Sequence, residues 1–372
     1  MGTGTIKMQQ EVLKAMRRLA LFLFVVAGAV CLAGDEAKPG MSWKPAEALM
    51  VEGRGWSDGL KSCFDRLPAK AEGKVTPAVW GLSHNSSGIC VRFVTDAKTV
   101  SLNWTLTSGG LAMPHMPATG VSGLDVYRRD ATAWTWVCNM KSTQFPANTA
   151  SFAGAGAPTE YLLYLPLYNG VSKLELGVPA GSRLEAAPPR SEAKRLPLVF
   201  YGTSITQGAC ASRPGMSYTA IVGRRLDLPV VNLGFSGSGK MELEMAGLLA
   251  EIDARLYVLD CLWNMDGKQI QERVEPFIKA LRAKRPDTPI LMLEDSNVHD
   301  ACPTGKGKLL RGIVEKLSAE GVKGLSVVAG KGLLGADCEG TVDGCHPNDL
   351  GFMRHAEVLA PVIKELVPTS GF

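Results

Sequence analysis

No apolar run in the sequence is long enough to span a membrane. The longest, residues 19–30, falls well short of the roughly 20 residues that a spanning helix needs. Net charge is also scarce: it is +4 over 372 residues, and residues 1–33 account for three of these four charges. A nucleic-acid-binding protein needs a surplus of positive charge. The sequence therefore argues against a membrane span and against a nucleic-acid partner.

Residues 1–34 have the layout of a signal peptide. Basic side chains at positions 14, 17 and 18 precede the apolar run, and the small residues Ala33 and Gly34 follow it. Met8 and Met16 stay open as alternative start positions. We therefore expect a secreted or periplasmic protein.

Cysteine use agrees with export. We do not expect lipid anchoring at Cys31, because Val30 stands directly before it, where such sites have a small residue. Without Cys31 eight cysteines remain, an even number in a chain bound for an oxidising compartment, so some disulfides are expected. Pairings cannot be deduced from the sequence, although Cys338 with Cys345 is one candidate.

Two different patterns divide the rest of the chain. In residues 35–190, short apolar runs such as 88–94 and 99–106 are separated by clusters of Ser, Gly, Asn and Pro, with almost no helical periodicity. This pattern predicts an N-terminal β-sandwich domain. The stretch 179–195, rich in Pro, Ala and charge, is the predicted linker.

Residues 191–372 alternate apolar strands with amphipathic helices. The predicted strands are 198–201, 229–233, 256–260, 290–293 and 325–328, and the predicted helices are 217–227, 241–252, 270–284, 305–320 and 348–366. Strand followed by helix, five times over, predicts a parallel sheet covered on both faces. Ligands bind outside the carboxyl ends of such strands, so residues that directly follow a strand are the candidates for chemistry.

Ser204 follows the first of these strands, after Gly202 and Thr203. Glycine permits a tight exit that brings a side chain to the edge of the sheet, where a serine can be a nucleophile. The same residues also suit an ordinary turn or helix cap. A catalytic role requires a base.

His346 is the candidate base, and Asp343 is its candidate partner. An imidazole takes the serine proton, and a carboxylate on the other ring nitrogen fixes the tautomer. The Asp-Gly turn at 343–344 brings residues i and i+3 together, and Pro347 can start the final helix. The alternative is a plain turn with an incidental histidine.

Acyl transfer also needs donors for the developing oxyanion. A glycine-rich loop follows the second strand, and Asn264 follows the third. The backbone N–H of Gly237 and the amide of Asn264 can converge near Ser204. A plain loop and an Asx turn are the alternatives.

In order and spacing, these residues resemble the four blocks of the SGNH (GDSL-like) hydrolases over residues 196–368. The resemblance implies a flavodoxin-like three-layer α/β/α domain over residues 191–372, with five parallel strands. It implies a serine ester hydrolase with the triad Ser204, His346 and Asp343, an oxyanion hole of Ser204, Gly237 and Asn264, and no cofactor or metal. The donor glycine stays open among 234, 237 and 239, and its offset from the preceding asparagine favours 237.

The N-terminal half resembles the β-sandwich, jelly-roll-like domain of the GxDLY-type SGNH group, through residues 123–127 and 163–170. There are departures: Val126 stands where the group's name has leucine, the first block lacks the usual aspartate, and Met265 follows Asn264 where many members have aspartate. These disfavour a generic lipase. The resemblance implies a carbohydrate O-acetyl esterase acting on an acylated glycan, with a lipase or small-molecule esterase as the alternative.

Two further function classes are open. Residues 234–241 nearly match a phosphate-binding P-loop, but Met241 replaces the hydroxyl that magnesium needs. Six of the seven tryptophans lie in the first half, so a non-catalytic carbohydrate-binding protein is the other candidate. Metal catalysis is disfavoured because the five histidines are scattered.

Overall fold

The computed structural model describes residues 40–367. The predicted signal peptide and the question of lipid anchoring at Cys31 lie outside the described residues. Among residues 40–367, none of the helices combines the length and the apolar character that crossing a bilayer requires.

Strands dominate the first half of the described chain, and strands alternate with helices in the second. The strands are β1 Met41–Pro45, β2 Met50–Glu52, β3 Cys90–Thr95, β4 Thr99–Leu106, β5 Leu124–Asp130, β6 Ala133–Met140, β7 Ala147–Ala153, β8 Thr159–Tyr164, β9 Val171–Pro179, β10 Leu184–Ala186, β11 Leu198–Gly202, β12 Val230–Gly234, β13 Leu256–Asp260, β14 Ile290–Leu293 and β15 Leu325–Val328. The α-helices are α1 Pro77–Ser83, α2 Ala118–Val121, α3 Ser204–Gln207, α4 Tyr218–Leu226, α5 Leu243–Leu249, α6 Gly267–Lys284, α7 Gly305–Ala319 and α8 Asp349–Leu366.

Strands β1 to β10 form two antiparallel sheets. One has the order β1-β9-β4-β7, and the other has the order β10-β3-β8-β5-β6 with β2 paired to β3. In β4 every second side chain is buried, because the pleat sends successive side chains to opposite faces. Buried residues of both sheets share one apolar core. The predicted strand-rich half is therefore confirmed, and its sheets are antiparallel, while the jelly-roll path stays a prediction.

Helix α1 is an element that the sequence pattern missed. Thr76 caps it by accepting from the N–H of Val79, and Pro77 occupies its first turn. Its buried Val79 packs with Val199 and Tyr201 of the parallel sheet rather than with the sandwich core. The pattern failed because seven residues are too few to show a helical period.

Strands β11 to β15 form one parallel sheet in the order β12-β11-β13-β14-β15. In chain order this is 2-1-3-4-5, the flavodoxin-like arrangement. Side chains on one face pack against α5, α6 and α7, and those on the other face pack against α4 and α8. The five parallel strands are confirmed close to their predicted bounds. Helix α5 is shorter than predicted, since Met241 has a φ of +50°, outside the helical range.

Packing crosses the predicted boundary at residue 190. Leu67 joins the core on one face of the parallel sheet, and Met116 and Leu167 join the core on the other face. The domain bounds stay a prediction, but in space residues 41–190 contribute to both faces of the parallel sheet.

Candidate active site

Ser204 is the first residue of α3, and only Thr203 separates it from the end of β11, an interior strand of the parallel sheet. Thr203 caps this helix through a reciprocal pair of hydrogen bonds with Thr206, which fixes the exit of the strand. Ser204 is 7% exposed. The nucleophile candidate is thus held on a short, capped helix at the carboxyl edge of the sheet.

His346 and Asp343 complete a continuous chain of hydrogen bonds. The Oγ of Ser204 lies 2.9 Å from Nε2 of His346, and Nδ1 of His346 lies 2.7 Å from Oδ2 of Asp343. Gly344 has a φ of +87°, which closes the Asp-Gly turn. Pro347 does not start the final helix, however, because Asn348 caps α8 and the helix begins at Asp349.

The carboxylate of Asp343 is stabilised in its ionised form. Its Oδ1 accepts from the backbone N–H groups of Cys345 (3.0 Å) and His346 (2.7 Å). Partial burial raises the pKa of Asp343, but these N–H groups and the imidazole of His346 outweigh it and lower the pKa to about 2. Asp343 can therefore hold the imidazole as a charged partner over the whole neutral range, although its side chain is 43% exposed.

Only one backbone donor of the glycine-rich loop is free. Among residues 234–239, every N–H except that of Gly237 donates to an acceptor within the described part of the chain. A Cβ on Gly234 would lie 2.2 Å from the N of Gln207, and one on Gly239 would lie 1.9 Å from the O of Gly202. Gly234 and Gly239 are thus required by close packing, whereas Gly237 has open space around it and a φ of +69°.

Asn264 lies beside this loop, at the end of a 3-10 turn that follows β13. In the amide orientation that satisfies its neighbours, its side-chain oxygen accepts from the N–H groups of Ser238 (3.1 Å) and Gly239 (3.3 Å). With that oxygen engaged, Nδ2 is the atom left to donate elsewhere. Strand β11, which precedes Ser204, lies between β12, which precedes Gly237, and β13, which precedes Asn264. The three predicted donors therefore all lie at the carboxyl edge of the sheet.

The sandwich half, residues 41–190, hydrogen-bonds to the segment that follows α3. Oδ2 of Asp125, in the stretch that carries the GxDLY resemblance, accepts from Arg213 (2.7 Å) and from the N–H of Gly215 (2.8 Å). Next to this segment, Ser212 hydrogen-bonds through its N–H (2.9 Å) and hydroxyl to Asp349 in the first turn of α8. The serine-bearing and histidine-bearing segments are therefore tied to each other and to Asp125.

A buried arginine of the sandwich half supports the glycine-rich loop. Arg66 donates to the carbonyl oxygen of Gly234 (2.6 Å) and to that of Asn232 (3.3 Å). It also donates to the carbonyls of Leu82 and Asn85. Burial lowers its pKa to about 9, so the guanidinium stays charged at neutral pH. Sequence reasoning missed this residue, because nothing around position 66 marks a contact with residues 166 positions away.

The cysteine expectation is not met in the described chain. The eight cysteines among residues 40–367 are free, and Cys338 contacts Nδ1 of His299 (3.5 Å) rather than Cys345. Cys338 has a φ of +63°, in a loop stabilised instead by the ion pair of Asp337 with Arg354 (2.6 Å). No cluster of metal-ligating side chains occurs within these residues.

Two family models match the chain. Residues 195–364 match the GDSL-like lipase/acylhydrolase family, and residues 41–184 match the GxDLY region, the N-terminus of SGNH-hydrolase-type esterases. None of the curated proteins compared with the chain is a match.

Solved structures share the whole two-part architecture. A GDSL-like lipase from Bacteroides ovatus is 32% identical, with a TM-score of 0.80, covering 88% of this chain and 98% of that one. The salicylyl-acyltransferase SsfX3 from a tetracycline biosynthetic pathway is 20% identical, with a TM-score of 0.68 over 90% and 97% of the two chains. A family two carbohydrate esterase from Cellvibrio japonicus is 11% identical, with a TM-score of 0.56 over 88% and 98%.

The two structures of lower identity show only that the fold is shared, whereas the Bacteroides ovatus protein is similar enough in sequence to show the family. Both family models fall on the halves that the sequence separates. The chain therefore belongs to the GDSL-like lipase/acylhydrolase family of SGNH esterases, with an N-terminal region of the GxDLY type.

Proposed function

We propose that this protein is an exported esterase that removes acetyl groups from an acylated carbohydrate through an acyl-enzyme on Ser204. The observation that carries the reaction is the unbroken hydrogen-bonded chain from Ser204 through His346 to Asp343. It has the connectivity of a serine hydrolase triad, in which each group activates the one before it.

In this mechanism Oγ of Ser204 attacks the ester carbonyl while Nε2 of His346 takes its proton. The backbone N–H groups of Ser204 and Gly237 and Nδ2 of Asn264 stabilise the oxyanion. His346 then gives the proton to the departing alcohol, and a water molecule, deprotonated by the same imidazole, releases the acid. Asp343 holds the ring and stabilises the imidazolium that forms in each step.

Other observations support a carbohydrate as the substrate. The family two carbohydrate esterase has the same two-part fold over nearly its full length, and the departures from the common lipase blocks disfavour a lipid. Export, expected from residues 1–34, would deliver the enzyme to extracellular or periplasmic polysaccharide. A lipase or small-molecule esterase and a non-catalytic glycan-binding protein are the alternatives, since fold alone does not determine substrate.

Hydrolysis assays with three substrate classes test the proposal. Purified enzyme is expected to deacetylate acetylated xylan or another acetylated glycan with a higher kcat/KM than p-nitrophenyl acetate or a medium-chain lipid ester. Ser204→Ala should lower kcat by roughly 10⁴-fold to 10⁶-fold, because the nucleophile is lost while the oxyanion donors stay. A loss of less than about tenfold would refute the role of Ser204, and a preference for the lipid ester would refute the substrate class.

Ser204→Ala also distinguishes the esterase hypothesis from the hypothesis of a non-catalytic glycan-binding protein. A glycan-binding protein would retain its affinity for the polysaccharide and show no turnover in either form. Labelling of Ser204 by a fluorophosphonate, with Ser204→Ala as the unlabelled control, gives the same answer without knowledge of the substrate.

A further inference from the structure

A second histidine faces the catalytic imidazole from the sandwich half. The ring centroids of His115 and His346 lie 6.3 Å apart, with 42° between the ring planes. His115 is exposed, and it lies in the loop between β4 and α2 rather than in the parallel sheet. None of the roles in the mechanism above uses it.

The turn that carries His115 is fixed at both ends. The backbones of Met113 and Met116 exchange two hydrogen bonds, of 2.9 and 3.1 Å, so Pro114 and His115 form the tip of a tight turn. Met116 is buried in the core that contains Ile205 of the helix of Ser204. The position of His115 is therefore set by packing rather than by a free loop.

Further contacts anchor the segment around His115, residues 108–120, to the rest of the protein. A Cβ on Gly120 would lie 2.3 Å from the carbonyl oxygen of Ala211, so the backbones touch there. The hydroxyl of Thr119 donates to the carbonyl of Ser212. At the start of the loop, Asn169 accepts from the N–H of Ser108 (3.1 Å) and donates to its carbonyl (2.8 Å).

The location of His115 determines which part of a substrate it can meet. In a serine esterase the oxyanion donors surround the acyl oxygen, whereas the base gives its proton to the oxygen of the leaving alcohol. A residue beside the imidazole of His346 therefore faces the alcohol half of the ester. An exposed imidazole offers a hydrogen-bond donor and an acceptor, which suit a hydroxyl group and offer nothing to a bare hydrocarbon.

Building on the esterase function proposed above, we propose that His115 is a specificity-determining residue that hydrogen-bonds to a hydroxyl adjacent to the esterified oxygen. The substrate class it selects is a monoester of a vicinal diol, the arrangement present in a partly acylated sugar ring. The sandwich half thereby supplies the alcohol subsite, and the parallel half supplies the reacting groups.

A matched pair of esters isolates this contact. Cyclohexyl acetate and trans-2-hydroxycyclohexyl acetate differ by one hydroxyl next to the ester. Wild-type enzyme is expected to favour the hydroxylated ester in kcat/KM by about tenfold, the effect of one net hydrogen bond. His115→Ala should lower that ratio to about one, and His115→Asn, which keeps a donor and an acceptor, should restore part of it.

His84→Ala is the control, because His84 is a half-exposed imidazole that pairs with Asp65 (3.1 Å) and makes an edge-to-face contact with Trp80. It should leave the ratio at the wild-type value. The role of His115 would be overturned if wild-type enzyme did not discriminate between the two esters, or if His115→Ala still did. In either case Ser204→Ala should stay inactive on both esters, so the proposed function would stand. If Ser204→Ala hydrolyses p-nitrophenyl acetate as fast as wild type, the proposed function fails and this inference fails with it.

Discussion

The two halves of the molecule differ in how their strands are built and in what they give to the site. Strand β11 of the parallel half is buried along its whole length. In β4 of the sandwich, buried residues alternate with mostly half-buried ones, and in β7 exposed residues alternate with buried or half-buried ones. The proposed reacting groups Ser204, His346 and Asp343 all come from the parallel half. The sandwich contributes Arg66 and Asp125, which fix the loops on which the reacting groups and their donors lie.

This difference separates two kinds of residue that a mutation can test. Changes to the reacting groups should lower kcat and leave the fold intact, because those side chains lie at the edge of the sheet. Changes to Arg66 and Asp125, the fixing residues, should lower stability, because these side chains are buried and hydrogen-bond to backbone groups of the other half.

After Ser204→Ala, the largest effect is expected at Asp343, the proposed triad carboxylate. Asp343→Asn should lower kcat by roughly 10²-fold to 10⁴-fold, because a neutral amide no longer stabilises the imidazolium or fixes its tautomer. Steady-state kinetics measure the change. Asp337→Asn, which removes a carboxylate paired with Arg354 on the same loop, is the control and should keep kcat within about threefold. Equal losses in the two variants would refute a specific role for Asp343.

The strongest test of the fixing residues is Arg66→Leu. It should lower the free energy of unfolding by about 3–5 kcal/mol, because two buried and two partly buried carbonyl groups lose a donor. Urea denaturation measures the loss. The exposed ion pair of Lys61 with Glu72 provides the control, since Lys61→Met should change stability by less than about 1 kcal/mol. Similar values for both variants would show that the sandwich does not fix the glycine-rich loop through Arg66.

A buried carboxyl behind the nucleophile predicts a pH dependence of stability. Asp260 accepts from Thr206 (2.8 Å) and Tyr218 (2.9 Å), and burial raises its pKa to about 7, against the opposing effect of these hydrogen bonds. The folded chain thus keeps a proton that the unfolded chain loses near pH 4, so its contribution to stability falls as pH rises from 4 through 7.

Asp260→Asn should remove this dependence. Relative to wild type, the free energy of unfolding of the variant should rise between pH 4 and pH 8 by on the order of 3 kcal/mol. Thermal or urea unfolding across that range measures it. Parallel stability curves for the two proteins would contradict a raised pKa at Asp260.

The smallest effect is expected at the loop donor. Gly237→Ala should lower kcat by roughly tenfold to a hundredfold, because a Cβ strains the backbone at positive φ and shifts the free N–H. Gly247→Ala is the matched control: it lies in α5 with open space around it and should leave kcat unchanged. An unchanged kcat for Gly237→Ala would favour another oxyanion donor.

Most of the parallel half could be predicted because its signals are local. Each strand is a short apolar run, and Asp343 and His346 are three residues apart in one turn, so their contact follows from the sequence. In the first half, the predicted runs 88–94 and 99–106 match β3 and β4, but the pattern does not predict α1, because seven residues cannot establish a period. The disulfide expectation was wrong in the described chain, because cysteine number says nothing about distance in space.

The fixing residues could not be predicted, because their partners are distant in the chain. Asp125 contacts Arg213 and Gly215, and His115 meets His346. The stretch around Asp125 resembled a family motif, but only the structure shows that its carboxylate binds the segment after the nucleophile. For His115 there is no local signal at all.

Arg66 also bears on how such an enzyme can be inherited and rearranged. A gene fragment encoding only the strand–helix half would lack the guanidinium that donates hydrogen bonds to the carbonyl oxygens of residues 232 and 234. Recombination at the linker between the halves would therefore separate a loop from its support. The two halves should therefore be kept together when the gene is rearranged or truncated, because the carbonyls of residues 232 and 234 depend on a donor from the other half.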